Sequence, residues 1–245
     1  MASLQKLDTV LYEVQQACLQ LSLPAPPGVY DSADQTAQLM GSVVNLAGIM
    51  IDESFDWQQL RKPFSVVGDG VTKLYPLPAD FSRFVDQTGW SLAMRRPVVV
   101  LNPQQWFAVL AWISQSFYAN PACRISNDQL EFMVAPALAE QVIFEYIVAD
   151  WVIDGDDPLI MKQRATKNSD VPRFDWLLMV LAIKVKWLEQ KGMSTAAAQS
   201  DFNDRYQQLT QRDQMGQVLT LAGAQPGSFR YLDNFYNTPN TGIGM

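Results

Sequence analysis

The chain contains no histidine. That removes the commonest general base near neutral pH and the commonest metal ligand. Ser-His-Asp, Cys-His and most zinc-hydrolase chemistries are therefore excluded, while lysine, carboxylate and threonine mechanisms stay open. Cysteine is nearly as scarce. Cys18 and Cys123 stand far apart with no metal or redox spacing, and read as reduced core residues. Positive charge is in short supply, with 18 Lys and Arg against 25 Asp and Glu, a formal net charge of −7. An acidic surface repels a nucleic-acid backbone, which argues against sequence-independent DNA binding. The same sign suits a surface that DNA must pass without sticking. No run approaches the roughly 18 apolar residues of a membrane span. The most apolar stretch, "WLLMVLAIKVKWL", is interrupted by Lys184 and Lys186. The opening "MASLQKLDTVLYEV" has no continuous apolar region of the kind a signal peptide needs, so a cytoplasmic origin is expected.

What is present reads as helices, then strands, then helices, then a tail. Leu4, Leu7, Leu11, Val14, Cys18 and Leu21 recur at spacings of three and four, which predicts a helix over 3–23 with Ser3 as its cap. "LPAPPG" stops it. A second helix is expected over 33–56, capped by Asp31 or Ser32, with Leu39, Val43, Leu46 and Met50 lining one side. Gly41 and Gly48 inside it suggest close approach of another backbone, since each costs roughly 1 kcal/mol relative to Ala. From Pro63 the pattern alternates. "FSVVGDGVTKLYPL" predicts two short strands around a Gly-Asp-Gly turn. "YPLPADFSRFVDQTGW" is too proline-rich for a helix and too apolar for a free loop, and is expected to be a stiff extended connector. "RRPVVVL" predicts a strand, and "NPQQWFAVLAWISQS" a helix capped by Asn102 with Pro103 in its first turn. "CRISNDQLEFMVAPALAEQVIFEYIV" predicts strand, Asn-Asp turn, strand, Ala-Pro turn, strand. A long helix follows, with Asp170 as its cap and Gly192 as its stop, then a last helix over 195–215 capped by Ser194. Ala198, Phe202, Tyr206 and Leu209 form that helix's apolar stripe.

The expected fold class is α+β: a helical bundle body with an inserted β-rich subdomain and an extended C-terminal tail. The divisions are 1–60 for the N-terminal helices, 61–153 for the β-rich insert with one short helix, 154–216 for the C-terminal helices, and 217–245 for the tail. That tail is rich in Gly, Pro, Asn and Thr, and alone could not bury enough apolar area to offset its ordering entropy. Yet Phe229, Tyr231, Leu232, Phe235 and Tyr236 are spaced like anchors. Packing on its own domain is one reading. Docking on another subunit or partner is the reading we carry forward, with these five as partner-binding residues.

No catalytic constellation emerges. Asp154, Asp156 and Asp157 lack the ligand order of a calcium loop and read as an acidic loop facing solvent or a channel. Glu131, Glu140 and Glu145 could supply a glycosidase-like carboxylate pair, but carboxylates on strands and turns are usually surface groups. "GDG" lacks the pattern of a phosphate loop. Neither a cofactor nor a metal is expected.

One ordered set of stretches resembles a known family. It runs from a helix ending in "LSLPAP" and a helix ending in "FDWQQL" through "FSVVGDG", "YPLPADFSRFVDQTGW" and "LNPQQW". It continues through "RISNDQLEFMVAPA", "IFEYIVADWV" and "DVPRFDWLLMVLAIKVKWLEQKG" to the closing helix. The set resembles the head-to-tail adaptor (connector) proteins of short-tailed bacteriophages, over roughly residues 4–221. The long aromatic tail departs from that pattern. The resemblance implies a virion protein at the head–tail junction, forming a homo-oligomeric ring of about twelve copies. Its partners would be copies of itself, the portal protein and the tail nozzle or tube protein, with DNA passing through the channel unread and no membrane involved. The rival readings are a carboxylate-dependent cell-wall hydrolase carried by the tail, and a tail-completion protein further from the capsid.

Overall fold

A computed structural model describes residues 7–112 and 121–214. In chain order the elements are α1 (Val10–Gln20), α2 (Gln35–Ser54), a single 3-10 turn (Gln58–Leu60), β1 (Arg61–Val67), β2 (Leu74–Pro76), β3 (Phe81–Phe84), β4 (Trp90–Ser91), β5 (Arg96–Pro97), β6 (Val99–Val100), α3 (Pro103–Trp112), β7 (Ala122–Ser126), β8 (Gln129–Phe132), β9 (Gln141–Val148), β10 (Val152–Ile153), β11 (Met161–Lys162), β12 (Val171–Pro172), α4 (Trp176–Gln190) and α5 (Ala196–Gln214). The protein is α+β. No helix among the described residues is long and apolar enough to cross a membrane.

Helix ends follow local chemistry, though not always at the expected residue. Thr9 caps α1, its hydroxyl accepting from the Tyr12 amide; the expected cap Ser3 lies outside the described residues. Asp34 occupies the position before α2, while Asp31 accepts a hydrogen bond from the Asn168 side chain. The α4 cap is Asp175, not Asp170: its carboxylate accepts from the Leu178 amide and from Arg205. Asn102 and Gln105 cap α3 reciprocally, each side chain accepting from the other's amide. Gly192 ends α4 at φ 64°, where Met193 N–H reaches the Leu188 carbonyl and Gly192 N–H the Glu189 carbonyl.

The strands form three sheets among the described residues. The first has the order β1-β9-β4-β5, with β3 also paired to β9; the second is β2-β8-β7-β6; the third is β11-β10-β12. The two strands flanking Gly-Asp-Gly therefore do not make a hairpin. β1 pairs with β9, and β2 with β8. Residues 75–90, expected to be a stiff extended connector, are extended in part and paired into the sheets, supplying part of β2, all of β3 and the start of β4. The Asn127-Asp128 turn does close a hairpin: both residues have positive φ, and β7 pairs with β8 across them. Alternation identifies a strand but not its partner, which is why these pairings were hidden.

Both long sheet edges carry a proline on the outward side. Gly68 N–H bonds to the Glu140 carbonyl, so even positions of β1 face β9 and Pro63 faces out. Phe132 N–H bonds to the Lys73 carbonyl, so odd positions of β2 face β8 and Pro76 faces out. A proline there offers no donor to an added strand.

The largest core joins α1, α2, α4 and α5 to Trp57, Trp151, Phe174 and the end of β9 at Tyr146, Ile147 and Val148. A second core lies between the first two sheets and holds Val66, Cys123, Leu130, Phe132, Val142 and Phe144. β9 runs through both. Cys18 and Cys123 are free and buried, and burial pushes the Cys123 thiol up to about 12.

Candidate interaction site

The acidic loop between β10 and β11 is an ion-pair knot rather than an acidic face. Asp154 turns inward, its side chain only 11% exposed, with Lys162 at 3.0 Å and Lys167 at 3.1 Å. The Asp156 amide, then Lys162 and Lys167, hold its carboxyl well below the usual range. Asp156 is exposed and pairs with Lys167, and Asp157 accepts from the Leu159 amide. The centre of the knot is Asp170, fully buried. Burial alone would raise its carboxyl, but Lys162 at 2.7 Å and the amides of Thr166, Lys167 and Gly155 outweigh that and hold it low. Of the three predicted loop carboxylates, only Asp156 points fully to solvent. Asp170's role is not legible in the sequence, because Lys162 on β11, Gly155 before it and Thr166 and Lys167 after it converge only when the third sheet forms.

Two of the three carboxylates considered for hydrolysis are engaged elsewhere. Glu131 sits on β8 and bonds Arg124 at 2.6 Å, and that guanidinium also stacks over Trp106. Glu140 is buried, taking the Ser91 hydroxyl at 2.5 Å and the Ala137 amide at 2.8 Å. Glu145 is exposed on β9. Among the described residues no group of three or more potential ligands is arranged to hold a metal ion. The expected partner-binding residues Phe229, Tyr231, Leu232, Phe235 and Tyr236 lie outside the described residues.

Two exposed apolar surfaces stand out instead. The first is the tip formed by the loops after β1 and after β8. Gly70 N–H bonds to the Pro136 carbonyl and Ala139 N–H to the Gly68 carbonyl, so the loops are stitched together. On them and the adjoining strand ends Val67, Val71, Leu74, Val134 and Leu138 are exposed, Val71 at 82% and Leu138 at 79%. The second is a groove of about 510 Å³ between α2 and α4, walled by Leu46, Ile49 and Met50, with Glu53, Lys186 and Glu189 among its other lining residues. Lys186 and Glu189 pair with each other at 2.9 Å.

The stripe expected along one side of α2 is divided: Val43 is buried, Leu39 and Met50 are partly buried against the core, and Leu46 is 45% exposed. The buried face of α2 mixes large and small residues: Met40, Val43, Val44 and Ile51 with Ala37, Gly41, Ala47 and Gly48. Gly41 and Gly48 do admit a close neighbour, but it is an aromatic side chain and not a backbone. A Cβ on Gly48 would lie 2.1 Å from the Trp151 ring, and one on Gly41 would lie 3.0 Å from the Tyr30 ring.

The chain matches no protein-family model, and a search of curated proteins finds no match.

Proposed function

We propose that this protein is a structural adaptor: a helical bundle body with an inserted β-rich subdomain, assembling head-to-tail into a ring at the head–tail junction of a tailed bacteriophage. In this reading the ring joins the portal to the tail nozzle or tube, and DNA passes through it. The observation that carries the reading is the pair of apolar surfaces at opposite ends of β9. The tip adjoins the start of the strand at Gln141, and α2 and α4, which wall the groove, pack around its end at Val148. Eight residues of strand separate them by roughly 26 Å. Contiguous exposed apolar side chains mark surfaces that meet other molecules, and two of them on one acidic chain suit a protein that joins. The structural engagement of Glu131 and Glu140 supports the same reading over hydrolysis.

The test is attachment to purified portal particles. The full chain is expected to bind. A Val71→Asp, Leu138→Asp double variant is expected to lose its hold on whichever partner meets the tip, and a chain lacking residues 222–245 to stay folded but fail to join portals. Losses of about 100-fold or more are the expected scale for interface anchors. Normal attachment by both variants, or clearing of peptidoglycan that Glu131→Gln or Glu140→Gln abolishes, would overturn the proposal.

A further inference from the structure

The α2/α4 groove needs an occupant, and the chain's own composition and length point to one. Its α2 wall carries Leu46, Ile49 and Met50, its α4 wall is polar (Lys186, Glu189 and Gln190), and its volume of about 510 Å³ can take a pair of aromatic side chains. Leu46 and Ile49 are 45% and 37% exposed, on the face of α2 that also presents Ser42 and Glu53 to solvent. Outside the described residues lie 31 C-terminal residues, 215–245, with Phe229, Tyr231, Leu232, Phe235 and Tyr236 clustered in eight positions. The two charges of that segment, Arg230 and Asp233, cancel, so it can approach a body that carries the whole net charge of −7.

Where the segment starts and how far its leader reaches bear together on whose groove it enters. α5 ends at Gln214, and Asp213 accepts the Gln58 amide at 3.0 Å, just beyond the C-terminal end of α2. Tyr206 donates to the carbonyl of Ser54, which itself lines the groove. The segment thus begins beside its own groove and would need only a few residues to enter it. About fifteen residues separate Gln214 from Phe229, however, and could span roughly 50 Å. A compact body of this size is roughly 45 Å across. That leader fits one subunit repeat, the distance from one copy to the equivalent groove on the next.

We propose that the α2/α4 groove is the seat for the aromatic C-terminal segment of a neighbouring copy, with Phe235 and Tyr236 against Leu46, Ile49 and Met50. Such a contact joins different surfaces of two identical chains, the heterologous geometry that closes into rings. The inference rests on the ring reading above and supplies its subunit-to-subunit contact.

Photo-cross-linking of the full chain tests it. A benzoylphenylalanine replacing Phe235 is introduced, and unlabelled and 15N-labelled chains are mixed, alone and with portal particles, and irradiated. Cross-links from position 235 to peptides spanning 46–54 or 186–190, in mixed-isotope pairs, are expected. Ile49→Arg, at a part-exposed position that leaves the fold intact by circular dichroism, is expected to cut their yield about tenfold or more. Tyr236→Ala, outside the described body, is expected to do the same. Same-isotope pairs only, cross-links elsewhere, or none in either mixture would overturn the seat. Rings that form on portals while cross-links fall elsewhere would overturn it and leave the joining role standing. Groove cross-links in a chain that never joins a portal would support the seat and count against that role.

Discussion

Glu13 is the residue whose chemistry most affects the folded state. It lies on the inner side of α1, fully buried, and neither carboxylate oxygen has a hydrogen-bond partner. Burial first, then the nearby charges of Asp8 and Asp175, raise its pKa well above the ordinary 4.5. Asp175 is itself held by Arg205 at 2.9 Å, so that cation is already committed. The folded state therefore holds a proton that the unfolded chain releases. Stability from this group is full below the unfolded pKa and falls as pH rises through the interval up to the folded pKa. Glu13→Gln removes that slope. Urea unfolding at a series of pH values from 5 to 7 should show the variant gaining on wild type with rising pH, by up to about 1.4 kcal/mol per pH unit. Parallel curves would show that Glu13 is ionised and paired in the fold. The helical spacing of α1 was readable, but Glu13 was not. The expected stripe of Leu7, Leu11 and Val14 is rotated towards Val10, Val14 and Ala17, and that rotation carries a carboxylate inside.

At the scale of elements, α2 shows why periodicity alone does not assign a face. The helix is apolar on two sides. One is buried, with Gly48 and Gly41 against Trp151 and Tyr30, and the other presents Leu46 and Ile49. A stripe of large apolar residues looks the same in sequence whether it meets the core or a partner. Only the ring lying over Gly48 shows which side is inside. Gly48→Ala must displace buried Trp151, and a loss of about 3 kcal/mol is expected in thermal or denaturant unfolding. A neutral outcome would mean that Trp151 has room to move. Strands were legible wherever hydrophobic alternation or turn chemistry was local, as at Asn127-Asp128. They were illegible wherever pairing was distant, as for β1 with β9, because nothing in residues 61–67 encodes residues 141–147. The knot at Asp170 was hidden for the same reason.

The whole molecule combines an acidic net charge with exposed apolar side chains near the two ends of β9. Like-charged copies repel, by an amount that salt screens over about 10 Å at 0.1 M, while the apolar surfaces attract at contact. Association of such a protein is expected to need ordering by a template. Helix, strand and helix in succession were readable as α+β from the sequence. Which apolar residues stay exposed was not, since that depends on how β9 carries one core into the next. The most direct measurement is electron microscopy of negatively stained particles after the full chain is mixed with purified portals. The account predicts rings of this protein seated on one face of the portal. Portals that remain bare, with the chain still monomeric in solution, would contradict it.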